Sequence, residues 1–217
     1  RLCCGAADCA ASGPSVAARG PFEDPQPAQQ PLQKASTSAM WCAFPMPIYA
    51  LGDLVPTIDP SAFVHPDAVL IGNVIIGAES SVWPTAVLRG DHGTIKVGSR
   101  TSVQDGTIVH CTSTLDTVIG DGCTVGHNVH LEGCTIEDDC LIGSGSIVLH
   151  EALIKSGALV GAQALIPNGM VVPSGAMALG VPAKIREDAV NKELLEHAAE
   201  IYVRNTHWYN AELRRLD

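Results

Sequence analysis

The sequence predicts an all-β solenoid, a parallel β-helix of hexapeptide repeats followed by a C-terminal α-helix. Three observations predict it. Aliphatic residues recur every six positions, as in Ile58, Val64, Leu70, Ile76, Val82 and Leu88. The residue two places earlier is usually small, as in Ala62, Ala68, Ser80 and Ala86. Aromatic residues make up only 4% of the chain while glycine reaches 21, which suits thin aliphatic layers better than a core of large rings. Six residues make one short strand and one turn. Three such units close a triangular coil, with the aliphatic side chain inward and the small one near the corner.

Residues 1–45 are rich in Ala, Pro, Gln and Ser and have no usable periodicity. Such a segment cannot bury enough apolar surface to offset its ordering entropy, so it reads as a disordered or non-native extension, dispensable for the fold. The chain begins at Arg1, and Met46, just ahead of the first patterned segment, is a plausible natural start.

The β-helix domain spans 46–184. Beyond Leu88 the inward positions slip and resume at Val97, Val103 and Val109. An insertion precedes Ile119, Val125 and Leu131, and a deletion precedes Ile136, Ile142, Val148, Ile154, Val160, Ile166 and Val172. These positions make about six coils at three units per coil. Val74 and Met170 are larger exceptions in the small slot. Residues 185–217 form the helical segment. Val190, Leu194, Ala198, Ile201, Tyr202, Trp208, Tyr209 and Leu213 fit one helix face, with a break near Asn205, and that face should cover one flank of the solenoid.

Thirteen Lys and Arg against 23 Asp and Glu give a formal net charge of −10. Nucleic acid and anionic membranes need a basic footprint, so neither is expected as a partner. Ser156–Ala183 carries no charged residue, but glycines and prolines interrupt it and its period is that of the repeat, so it reads as buried strands rather than a membrane span. With no signal peptide evident, a cytoplasmic location is expected. Cys3, Cys4, Cys9 and Cys42 precede the repeat, and Cys111, Cys123, Cys134 and Cys140 lie within it. Their spacing fits neither a disulfide framework nor a zinc ribbon, so they read as free thiols. Cys123, Cys134 and Cys140 occupy the small corner slot.

The polar residues between Arg89 and Glu132 interrupt this scaffold. Residues three units apart stack on neighbouring coils, about 4.8 Å apart. Arg89, His110 and Glu132 each follow an inward aliphatic and so form one outward column. His127 lies above Asp105 on a different face. His110 and Glu132 can therefore approach a common point that His127 of the same chain cannot reach. That division suggests a cyclic oligomer in which one copy donates His110 and Glu132 and its neighbour His127. Three protein donors with an open fourth position suit a catalytic zinc. His130 and Glu132 flank Leu131 on the same rung, and either could be the third donor. Arg89 and Asp91 suit an intersubunit salt bridge as well as a catalytic role, and Gln104 and Asp105 suit a turn before Gly106 as well as a site. His65, His92, His150, His197 and His207 read as hydrogen-bonded surface residues.

The motifs LRGD (88–91), VQDGTIVH (103–110), VGH (125–127), GC (133–134) and GVPAK (180–184) resemble the gamma-class carbonic anhydrase family and its hexapeptide-repeat relatives over roughly residues 46–186. The resemblance implies a left-handed β-helix, a homotrimer, and a zinc or iron ion between subunits. By motif position, His110 and His127 match two of the family's three metal-binding histidines, and Arg89 and Asp91 its intersubunit salt bridge. Gln104 matches the residue that positions bound water or bicarbonate, and Asp105 a group supporting the site. There are two departures. The family's third histidine falls at Glu132, with His130 two residues earlier, and the acidic loop that shuttles protons is absent, Cys111–Thr117 holding only Asp116.

The function expected is metal-dependent, reversible hydration of carbon dioxide to bicarbonate, with Gln104 orienting the attacking group and the proton leaving through solvent or His92. The alternatives are a non-catalytic trimeric scaffold or small-molecule binder, and a hexapeptide acyltransferase or thioesterase. GVPAK also occurs in such acyltransferases, but the repeat holds few of the Lys and Arg that a coenzyme A groove would need.

Overall fold

The structure is a computed structural model that describes residues 47–217. The extension over 1–45, the start at Met46 and the cysteines at 3, 4, 9 and 42 lie outside the described residues. From Ile48 onward the chain winds as a left-handed parallel β-helix and ends in one helix. One face stacks Phe63–Val64, Ser81–Val82, Ser102–Val103, Thr124–Val125, Leu141–Ile142, Leu159–Val160 and Met177–Leu179, each rung parallel to the last. Lys184–Arg186 closes its end antiparallel. A second face stacks Ile108–His110, His130–Glu132, Ile147–Val148 and Leu165–Ile166. The third stacks Thr117–Ile119, Thr135–Ile136, Leu153–Ile154 and Val171–Val172. Val69–Ile76 and Val87–Val97 are long enough to turn the corner between these two faces, and their pairing shifts register between Gly72 and Val74. That shift absorbs the slip after Leu88.

Every inward aliphatic named above is buried except Ile58, which is half-buried on an early coil that pairs on one side only. The segment without charges at 156–183 is four of these rungs, and no helix among the described residues is long and apolar enough to cross a membrane. The small slot has a hydrogen-bonding reason as well as a steric one. Ser80 Oγ donates to Gly98 O (2.6 Å) and accepts from Thr101 N (2.9 Å). Thr101 Oγ1 repeats the pattern one rung on, donating to Gly120 O (2.7 Å) and accepting from Cys123 N (3.0 Å). Each hydroxyl satisfies backbone groups that the corner removes from the strand ladder. Cys111, Cys123, Cys134 and Cys140 are free and buried. Burial pushes the Cys134 thiol up to about 12. The Cys140 side chain, together with burial, raises that of Cys123.

The helix runs unbroken from Lys192 to Glu212, so no break occurs at Asn205. Asn191 Oδ1 caps it by accepting from Glu193 N (3.0 Å). It lies against the first face. The expected stripe is corrected by about one residue: Leu195, Ala199, Val203 and Thr206 are buried, whereas Leu194, Trp208 and Leu213 are exposed. The receiving surface explains the rotation. Phe63 and Trp83 stand outward from that face and take Tyr209 edge-on, with ring centroids at 5.6 and 4.9 Å, while Tyr202 meets Trp83 at 5.8 Å. The Trp83 indole donates to Ser81 Oγ (3.0 Å) and Ser102 Oγ (2.9 Å). Two bulky rings on the sheet leave room for only small or slender residues on the helix stripe between them.

Candidate metal centre

The register places Arg89, His110 and Glu132 on successive rungs of one column, as counting repeat units predicts. Their side chains meet. His110 Nδ1 lies 2.8 Å from Glu132 Oε1, and its Nε2 lies 3.1 Å from Asp91 Oδ1. Asp91 Oδ2 also accepts from Arg89 Nη1, so the Arg89–Asp91 pair closes within one chain. On the same rung His130 Nε2 stands 3.4 Å from Glu132 Oε2. Leu131, between them, points inward and is fully buried, which forces both neighbours out.

The two carboxylates stay ionised for stated reasons. The His110 hydrogen bond holds Glu132 below its ordinary range, with His130 adding to it and partial burial opposing both. Burial acts hardest on Asp91, pushing upward, yet hydrogen bonds from His110 and Arg89 together outweigh it and leave Asp91 low. Asp116, the one acid of the short Cys111–Thr117 loop, accepts from Thr94 N (2.6 Å). It is a structural clasp.

His127 stands apart from this cluster. It follows the Thr124–Val125 strand of the helix-covered face, and its Nδ1 lies 2.8 Å from Asp105 Oδ2, one rung below. A carboxylate on Nδ1 fixes the tautomer and leaves Nε2 as the lone-pair donor, the usual support for a metal-binding imidazole. Gln104 follows Val103 on the same face, one rung beyond Trp83, and is buried, only 4% exposed.

The sequence resemblance implies a zinc or iron ion, and the donors can be tested against it. Among the described residues no group of three or more His, Cys, Asp or Glu side chains in one chain closes around a point that could hold an ion. His110 and Glu132, at 2.8 Å, are bonded to each other. Two donors on a tetrahedral zinc, each about 2.1 Å from it, would stand roughly 3.4 Å apart. The chemistry of the set nevertheless fits: imidazole and carboxylate together suit zinc and ferrous iron. His127 is oriented with Nε2 to spare, and the buried His150 Nε2 has no hydrogen-bond partner. The donor chemistry fits such an ion, and a single chain does not close around it.

His150 is the residue that sequence reasoning missed. Among the histidines read as hydrogen-bonded surface residues, His65 and His207 behave that way. His65 Nδ1 accepts from Asp67 N (3.1 Å), and His207 Nε2 lies 3.0 Å from Glu79 Oε1. His150 instead sits 3.8 Å from Glu132 Oε1 with its Nε2 buried. Carrying the register one rung on from Leu131 to Val148 would have found it, because His150 then falls beside Gly133.

A family model described as bacterial transferase hexapeptide (six repeats) matches residues 116–150. Gamma carbonic anhydrase 2, mitochondrial, of Arabidopsis thaliana is 40% identical over 159 residues, covering 70% of this chain and 57% of that protein. Carnitine operon protein CaiE of Escherichia coli O157:H7 is 44% identical over 104 residues, covering 48% of this chain and 53% of that protein. The chain thus spans little more than half the length of these curated relatives. A crystal structure of a hexapeptide transferase family protein from Anaplasma phagocytophilum has a TM-score of 0.73 and 36% identity, covering 76% of this chain and 98% of that one.

Proposed function

The chain belongs to the hexapeptide-repeat protein family, and from that premise we propose that it is a gamma-class carbonic anhydrase-like member that binds a divalent metal ion between subunits of a homotrimer and hydrates carbon dioxide there, reversibly, to bicarbonate. The observation that carries this reading is His127, oriented through Nδ1 by Asp105 and separate from the His110–Glu132 pair. Donors on two faces of one solenoid serve a single ion only when copies assemble.

His127 of one copy and His110 with Glu132 of the next would hold the ion, with His130 flanking them. The ion, zinc or iron, supplies Lewis acidity, which makes a water acidic enough to attack carbon dioxide near neutral pH. Asp105 holds the His127 tautomer. Gln104 orients the substrate, and Arg89 and Asp91 fix the column that carries His110. With Asp116 engaged on the backbone of Thr94, the proton leaves through solvent or His92, so turnover is slow for this chemistry. Metal analysis of anaerobically purified protein, paired with a hydration assay, tests the reading. Stoichiometric metal and activity, both lost in His127→Ala, support it, and metal-free, inactive wild-type protein refutes it.

One observation favours a second reading, a trimeric scaffold without catalysis: both ring nitrogens of His110 are bonded to carboxylates. His110 can serve an ion only by giving up one of these bonds.

A further inference from the structure

We propose that His150 is a metal donor in this chain, supplying the imidazole that position 132 lacks. The inference rests on the metal-site reading above and adds a residue to it.

Three features of the structure carry it. His150 Nε2 is buried and has no hydrogen-bond partner. Buried polar atoms in native proteins are almost always partnered, so an orphan requires an explanation, an absent ion among the possible ones. That nitrogen lies 3.8 Å from Glu132 Oε1. The gap is too long for a hydrogen bond, yet it is close to the roughly 3.4 Å that separates two donors on one tetrahedral ion. His110, at 2.8 Å from the same oxygen, has the opposite relationship, a direct hydrogen bond.

The third feature is the space made for the ring. Gly133 follows Glu132 with φ +58°, and a Cβ there would stand 2.8 Å from His150 Cδ2 and 3.1 Å from Leu115 Cβ. A side chain at 133 would push the imidazole off Glu132. The missing Cβ and the left-handed backbone together let the next rung's histidine lean back over the carboxylate. Glu132 and His150 are thus two donors from adjacent rungs, and His127 of a neighbouring copy provides an imidazole from outside the chain. Counted with His110, His150 keeps three imidazoles at the ion while Glu132 adds one negative charge as a fourth protein donor, leaving a fifth position for water.

The test measures metal binding directly, on the full chain. Zn2+ affinity is measured by competition with a chromophoric chelator, and the Co2+-loaded protein is examined by visible absorption. The proteins are wild type, His150→Ala, His150→Gln and His127→Ala, with oligomeric state checked by sedimentation. Loss of a donor should weaken Zn2+ binding more than 100-fold in both His150 variants and alter the Co2+ spectrum, whereas loss of an outer partner costs roughly 10–100-fold. His150→Gln preserves the side-chain bulk, so it reads the donor role if the alanine variant fails to assemble. Unchanged affinity and spectrum in the His150 variants, or a fall of less than 100-fold, with His127→Ala still losing metal, overturns the role of His150 and leaves the metal site standing. Wild-type protein that binds no Zn2+ overturns both.

Discussion

Glu132 lies one rung from His110 and receives its Nδ1 at 2.8 Å, so the residue at which the sequence departs from the gamma-class pattern it resembles is bonded to one that matches that pattern. The bond makes the departure more than a neutral replacement. An anionic oxygen now stands where the resemblance puts a neutral imidazole nitrogen, and it is one of two carboxylates bonded to the ring beneath it.

An ion with a carboxylate among its donors carries less net positive charge and acidifies water less. Glu132→His is therefore expected to raise carbon dioxide hydration near pH 7, read by stopped-flow with a pH indicator. His130→Ala, measured alongside for metal content, separates the two residues of that rung. If only His130→Ala loses metal and Glu132→His changes nothing, His130 is the donor.

The ionisation of Asp91 and Glu132 links the cluster to pH. Both carboxyls are held below their ordinary range in the folded chain. They therefore contribute stability above the unfolded values, near 4, and that contribution is lost as pH falls through their folded values. Thermal melts between pH 7 and pH 3 should show a decline that is shallower in Glu132→Gln. Identical slopes in the two proteins would mean that the bond to His110 does not persist in solution.

Assembly and metal should be lost together. Arg89 heads the column that positions His110 and engages Asp91. Arg89→Ala, which takes a partner from Asp91 beside His110, is expected to lower bound metal, and sedimentation run alongside reads whether assembly falls with it. A monomer that kept stoichiometric metal would refute a site divided between copies.

Two of the repeat thiols should be inert. Cys134 is buried and pushed up to about 12, and burial also acts on Cys123. A thiolate is the reactive form, so Ellman's reagent at pH 8 should leave Cys123 and Cys134 unmodified until denaturant is added. Peptide mapping reads this residue by residue. Rapid modification of Cys134 in folded protein would contradict the packing.

Leu131→Ala removes a fully buried side chain from beneath the His130–Glu132 rung. The expected loss is about 2–5 kcal/mol, read from chemical denaturation.

The solenoid was legible because its signal repeats: one inward aliphatic in six, sustained from Val64 to Val172, leaves one way to wind the chain. The column of Arg89, His110 and Glu132 followed from the same counting, since parallel in-register rungs turn sequence offset into height. Two features escaped. The helix face was read from its own apolar residues, Leu194 and Trp208 among them, but its buried stripe is chosen by Phe63 and Trp83, more than a hundred residues away. His150 escaped because it sits at a turn rather than on a strand, where its position depends on the glycine one rung below.

Trp83 gives the molecule a built-in optical gauge. Its indole is 6% exposed, donates to two serines on its own face and is roofed by Tyr202 and Tyr209 of the helix, whereas Trp208 is open to solvent. Lifting the helix would wet that ring while leaving the coils beneath it wound. Blue-shifted emission from Trp83, followed in a Trp41→Phe, Trp208→Phe background, would separate the peeling of the helix from the unwinding of the solenoid.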